Sequence, residues 1–249
     1  MSLIAPETIL AVFAIFCRVG GCLMVAPGFS SSQVPMRIRL YIALAVSLAL
    51  SPMLVDTVRP TLGDGGGVVL LSVLFTELAV GLMIGFVTRL LFLALQMMTV
   101  AVTQAIGLSS MPGVQLEDSG EQQPALSTFF SLAVTTLMFV VGLHVELMRG
   151  LVDSYATIPP GAGFAVRPAI TEVADKAGAA FLTAIRIGSP FIVYSVLVNF
   201  AIGFTNKLVP QIPVFFIATP FVMFGGLFLL LMTAHDFLSA FIFALDSWF

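Results

Sequence analysis

Three ionisable side chains, Arg18, Glu77 and Arg89, stand inside long apolar runs. A charge at membrane depth costs about 2.5–3.5 kcal/mol even on the lenient insertion scale, so each must face protein or water. Such groups can relay protons or ions between helices, or they can pair and fix helix register. Glu77 and Arg89 are twelve residues apart, about 18 Å along one helix, so they cannot pair within it. Glu77 can instead meet Arg18 or Arg186 on other helices. The favoured reading of Arg18, Glu77, Arg89 and Arg186 is therefore inter-helix or inter-subunit contact.

The other reactive residue types offer less. Neither His144 nor His235 has a His, Cys or carboxylate three or four residues further on, so no metal site is expected. Cys17 and Cys22 are five apart, roughly 500° around a helix, and read as small apolar packing residues. No serine lies in a nucleophile motif, and no glycine-rich phosphate loop follows a strand. Neither catalytic site nor cofactor is expected.

Composition explains what must position these residues. Hydrophobic residues make up 59% of the chain and charged ones 9%, against roughly 25% charged in a soluble domain. Mean hydropathy is +1.11. The stretches Arg89–Glu117, Arg186–Lys207 and Lys207–His235 carry no charge between their ends, and each is long enough to span a bilayer as a helix. This pattern is that of a polytopic, all-α membrane protein. A net charge of −3 with no basic block excludes a nucleic-acid partner. Glu7 precedes the first basic residue, Arg18, so the N-terminal segment is expected to be a retained helix, not a signal peptide.

Six apolar segments are expected, near 8–29, 38–55, 68–106, 125–150, 172–206 and 211–245. The second should stop near Ser51-Pro52, the fourth before Ile158-Pro159-Pro160-Gly161, and the fifth should start with Thr171 as its N-cap. Three are overlong: a helix over 68–106 would extend about 58 Å, against a hydrocarbon core of about 30 Å. Either they are broken helices or hairpins, or they extend beyond the membrane against partner subunits. Pro190 and Pro220 should kink the last two, and Gly81 and Gly85 permit close helix approach. Basic residues divide three against four between the two sides, so the positive-inside rule does not orient the chain.

The loop from Gln104 to Pro124 opens apolar and ends acidic. Irregular backbone at membrane depth requires burial in protein or a watery cavity. The loop is thus an ordinary solvent loop or a re-entrant gate with Leu108, Met111 and Val114 as apolar stoppers.

Several motifs carry a resemblance. Phe16-x-Arg18-x-x-Gly21, Ala26-Pro27-x-Phe29-Ser30-Ser31 and Val34-Pro35-x-Arg37-x-Arg39 resemble the opening of the FliR family of flagellar type III export-gate proteins. Glu77 with Gly81 and Gly85-Phe86, Gly107, Gly142-x-His144, and Asn206-Lys207-x-Val209-Pro210-Gln211-x-Pro213-Val214-Phe215 with Thr219-Pro220 are similar to it further on. The resemblance implies a non-enzymatic subunit of the bacterial inner membrane and flagellar basal body. It implies about six long, partly kinked helical segments packing as hairpins in a multi-subunit helical assembly. Residues 1–170 would be FliP-like and residues 171–249 a FliQ-like hairpin. FliP-like and FliQ-like subunits would be partners, with FlhB-like and FlhA-like export components, membrane lipid and unfolded protein cargo. The loop near 107–123 would be the plug of the pore, with Gly107, Leu108, Met111, Pro112 and Val114 at the seal. The tract Glu117-Asp118-x-x-Glu121 departs from the family pattern. The equivalent subunit of a virulence injectisome is one alternative. A small-solute secondary transporter is another, but no repeat of the kind such folds use is evident.

Overall fold

A computed structural model of the chain describes residues 6–31, 34–62, 66–107, 115–118 and 121–246. The helices in chain order are α1 (Pro6–Val25), α2 (Met36–Val58), α3 (Gly67–Ala105), α4 (Ala125–Val141), α5 (Leu143–Thr157), α6 (Val166–Leu208) and α7 (Val214–Asp246). A single 3-10 turn, Arg59–Thr61, closes α2. Five of these helices are long and apolar enough to cross a membrane, six if the bent α4–α5 pair counts as one span. The chain is an all-α, multi-pass membrane protein. To this, the structure adds one small ribbon in which β1 (Gln115–Asp118) pairs antiparallel with β2 (Glu121–Pro124). The acidic end of the loop is therefore ordered as a hairpin, which its composition did not suggest.

The overlong segments are continuous. α3 runs for 39 residues, α6 for 43 and α7 for 33, so the hairpin alternative is overturned. Local hydrogen bonding explains how two of the prolines are tolerated. Proline withholds a donor from the carbonyl four residues earlier. Ser189 Oγ donates to the freed Arg186 carbonyl at 2.8 Å, and Ser51 Oγ does the same for Leu48, also at 2.8 Å. The expected stop at Ser51-Pro52 is corrected for the same reason. α2 continues through Pro52 and buries Leu54 and Val58 beyond it.

Two further boundaries differ from expectation. Thr171 is not an N-cap, because α6 already begins at Val166 and Thr171 Oγ1 donates back to the Arg167 carbonyl. Pro168 lies in that first turn, where a missing N–H costs nothing. The fourth segment is two helices. Gly142, at φ +86°, breaks it, and α4 and α5 meet at 67°. The left-handed conformation is one that glycine adopts without a Cβ clash.

Two compact units interleave along the chain. The first comprises residues 1–92 and 138–178, and the second residues 93–137 and 179–248. In the first, α1 buries Ala11, Ala14, Ile15, Val19 and Cys22 on one stripe against Leu54 and Val58 of α2 and Leu147, Leu151 and Tyr155 of α5. The spacing 11, 14/15, 18/19, 22 is the three-and-four rhythm of a helix face. In the second, Met98, Val102 and Ile106 of α3 pack with Ala184 and Phe191 of α6, flanked by Leu229 and Leu230 of α7.

Candidate functional site

The first unit is built around Arg18. Its carbonyl lies where α3 crosses α1 with almost no side chain between the backbones. A Cβ on Gly81 would stand 2.0 Å from the Arg18 carbonyl oxygen, and one on Gly85 2.4 Å from that of Cys22. Gly21 of α1 answers from the other side, where a Cβ would be 2.9 Å from the Leu78 oxygen. The Gly81–Gly85 pair is thus the seat of a close helix contact, and Glu77 lies one turn before it.

That approach brings Arg18 onto Glu77. Arg18 Nε donates to Glu77 Oε2 at 2.7 Å and Nη2 to Oε1 at 2.8 Å, a bidentate fork with each side chain 1% exposed. The end of α5 supplies the rest of the shell. Arg18 Nη1 donates to Ser154 Oγ at 3.0 Å, and Nη2 also donates to the Ile158 carbonyl at 3.1 Å. The Tyr155 ring covers the guanidinium, 3.8 Å from its carbon to the ring centroid. Parallel forked bonds and a stacked ring are what a planar guanidinium makes better than an ammonium. Burying two charges is favourable only where the geometry is good and further hydrogen bonds surround them. The cluster ties α1, α3 and α5 together, and among the described residues the buried Tyr155 hydroxyl at its edge has no hydrogen-bond partner. Sequence reasoning missed Ser154 and Tyr155. The signal was the stripe Leu143, Leu147, Leu151, Tyr155, which ends on a residue able to cover a cation.

The other two candidate charges do not join it. Among the described residues, the polar contact of Arg89 is from Nη1 to Ser30 Oγ, at 3.4 Å. Arg186 is exposed on α6 and forms no ion pair among the described residues. Among those residues, no three His, Cys, Asp or Glu side chains gather as metal ligands.

The candidate gate begins at the end of α3. Gly107, at φ +78°, ends the helix with its N–H bonded to the Gln104 carbonyl at 3.0 Å. Leu108, Met111, Pro112 and Val114 lie outside the described residues. Just before the turn, Ile106 is fully buried against Gly226 of α7, where a Cβ would come 2.4 Å from the Ile106 Cβ. One turn away, Tyr194 of α6 donates its hydroxyl to the Val222 carbonyl at 2.7 Å, across the bare surface of Gly225. Met98 fits over Gly188 in the same way. The Gly225-Gly226 pair was legible in the sequence as a second small-residue contact and was passed over.

Residues 9–247 match the family described as bacterial export proteins, family 1. The chain belongs to that family. Its similar relatives include the flagellar biosynthetic protein FliR of Caulobacter vibrioides, 31% identical over 88% of this chain and 86% of the relative. The proteins of the same name from Aquifex aeolicus and Escherichia coli K12 are 27% and 24% identical, over 92% and 86% of this chain and 87% and 80% of theirs. The resemblance read from the motifs is correct at the level of the family.

Proposed function

We propose that the chain is a non-enzymatic subunit of the flagellar type III export gate in the bacterial inner membrane. It assembles with FliP-like and FliQ-like subunits, and with FlhB-like and FlhA-like components nearby, to form and close the conduit for unfolded flagellar proteins. The observation that carries this reading is the mismatch between helix length and bilayer. α6 and α7 are unbroken and near 64 and 50 Å long, against a hydrocarbon core of about 30 Å. Large side chains such as Phe200, Phe204, Phe216, Phe221 and Phe224 remain exposed along them. Helices that leave the lipid with apolar faces bare find cover in other protein, and a hairpin of this kind serves as the FliQ-like part of a shared helical wall. All three relatives quoted are named as flagellar proteins, which favours flagellar cargo over an injectisome.

In this reading the segment after Gly107 closes the pore, with Leu108, Met111, Pro112 and Val114 as the seal, and Arg186 pairs with a neighbouring subunit. Deleting residues 108–114 is expected to leave the complex assembled while raising ion leakage through the membrane of cells that make all its subunits. Unchanged conductance would remove the plug assignment. Affinity purification of the tagged chain from detergent extract is expected to bring FliP-like and FliQ-like subunits with it, and a stable lone monomer would overturn the assembly.

A further inference from the structure

The two halves of α3 are fastened by opposite chemistry. Before Gly81 the Arg18–Glu77 fork holds it, and releasing that fork would strand a buried charge. Towards Ile106 the buried hydroxyls of Thr99 and Thr103 turn inward, donating at 2.9 and 2.8 Å to the carbonyls of Leu95 and Thr99 in α3 itself. What meets α6 and α7 here is apolar, with Met98, Val102 and Ile106 against Ala184, Phe191, Leu229 and Leu230. A contact of that kind parts and re-forms without leaving a donor or a charge unpaired.

Ile106 is the last side chain before the chain leaves the helix, and it is fully buried. Gly107 takes the left-handed turn, at φ +78°, and its N–H stays bonded to the Gln104 carbonyl at 3.0 Å. The direction in which the next segment sets out therefore follows from where Ile106 rests. It rests on α7. A Cβ on Gly226 would lie 2.4 Å from Ile106 Cβ, 2.5 Å from its Cγ2 and 3.2 Å from its Cα. Rotating the side chain moves Cγ2 but not Cβ, so Ile106 keeps its place only with glycine at 226.

Gly107 faces the same patch of α7. A Cβ there would be 3.7 Å from Met223 Cγ and 3.9 Å from Val222 Cγ1. Residues 222, 223 and 226 are neighbours on a helix surface. Gly225 looks elsewhere, because a Cβ on it would meet the Tyr194 hydroxyl at 2.6 Å. We propose, resting on the assignment of the plug to the segment after Gly107, that Ile106 seated on Gly226 latches that segment closed and that opening lifts Ile106 off α7. Gly226 is then a positioning residue, acting on the seal through Ile106 and Gly107.

The test is ion leakage through the membrane of cells that make every subunit, with assembly checked by co-purification of the FliP-like and FliQ-like subunits. Gly226→Ala should raise leakage about fivefold while the complex stays assembled, because a crowded seat penalises the closed state at the low end of overpacking. Ile106→Ala, which empties the seat instead of crowding it, should leak as well. Gly225→Ala makes the same change in helix propensity one residue away and displaces only the end of the Tyr194 side chain, so its leakage should stay close to parental. Equal leakage from Gly225→Ala and Gly226→Ala would mean that α7 is merely loosened, and overturns the latch. So does loss of partner subunits from both Gly226→Ala and Ile106→Ala, which would make the seat a structural joint. If both stay as tight as the parent while deletion of residues 108–114 leaks, the latch falls and the plug stands. If the deletion is tight too, both fall.

Discussion

Around Arg18 the chain closes a helix contact with a buried charge pair, whereas around Ile106 it does so with bare glycine surfaces and one tyrosine hydroxyl. Both contacts bring helix axes close through glycine, at Gly81 and Gly85 in the first unit and at Gly188, Gly225 and Gly226 in the second. Only the first adds a bidentate ion pair. The two units also differ in how much they enclose. Half of the α1 span is buried within the chain, against 6% of the α7 span. A helix that is half covered by its own chain can hold a charged core, because its neighbours supply the carboxylate, hydroxyl and carbonyl that the Arg18 guanidinium needs. α7 has few internal neighbours, so a charge there would wait unpaired in lipid until something else docked. The polar core belongs where the chain is self-sufficient, and the apolar surface where it is not.

Breaking the pair is the strongest attack on that contrast. Glu77→Ala leaves the Arg18 guanidinium buried without its carboxylate, a loss of about 3–5 kcal/mol. The protein should lose heat resistance in detergent, measured as the fraction left soluble after a temperature ramp. Replacing both partners by leucine should recover most of the loss, since apolar packing of similar volume often equals a buried ion pair. A double variant as weak as the single one would show that the pair does something beyond holding α1 to α3, and the relay reading would return.

The glycine contacts sharpen the comparison, with an expected effect of about 1–3 kcal/mol each. Gly81→Ala drives a methyl group into the Arg18 carbonyl, which is backbone and cannot step aside. Gly226→Ala meets mainly the Ile106 side chain, so its cost should fall at the lower end. Cys22, fully buried on α1, reports on the first unit alone. Maleimide labelling of Cys22 should rise in Gly81→Ala and stay at the parental rate in Gly226→Ala. Equal labelling in the two variants would mean that the units open together.

Much of this architecture was legible in the sequence because it follows from local chemistry. Uncharged runs gave the membrane helices, Ile158-Pro159-Pro160 gave the end of α5, and Gly81 and Gly85 marked a close approach. The errors share a cause. Ser51-Pro52 looked like a stop, because a sequence reading counts the lost donor but not the serine hydroxyl that satisfies the stranded carbonyl. Thr171 looked like a cap because Glu172 and Asp175 follow it where a first turn favours acidic residues, a pattern that also fits inside a helix already begun at Val166. Gly142 was hidden within an apolar run, where its left-handed turn has no compositional trace. The Arg18–Glu77 meeting could be offered as one of two pairings, since spacing along a helix excludes contacts but does not choose among separate helices. Ser154 and Tyr155 complete that shell from 136 and 137 residues away, a distance no local pattern spans.

The gentlest perturbation tests the second unit alone. Tyr194→Phe removes one hydrogen bond, to the Val222 carbonyl, and keeps the ring that packs beside Phe191 and Met98. The loss should be about 1 kcal/mol, because a helical carbonyl retains its backbone donor and a neutral hydrogen bond has modest net worth. It should appear as roughly fivefold faster hydrogen exchange at the amides of residues 222–226, since 1 kcal/mol is about a factor of five in a local opening equilibrium. Amides of α1 should exchange at the parental rate, because the Arg18 cluster draws nothing from Tyr194. Faster exchange spreading into α1 would make the two cores one cooperative body, and the division of labour between charge and glycine would then be a matter of local packing only.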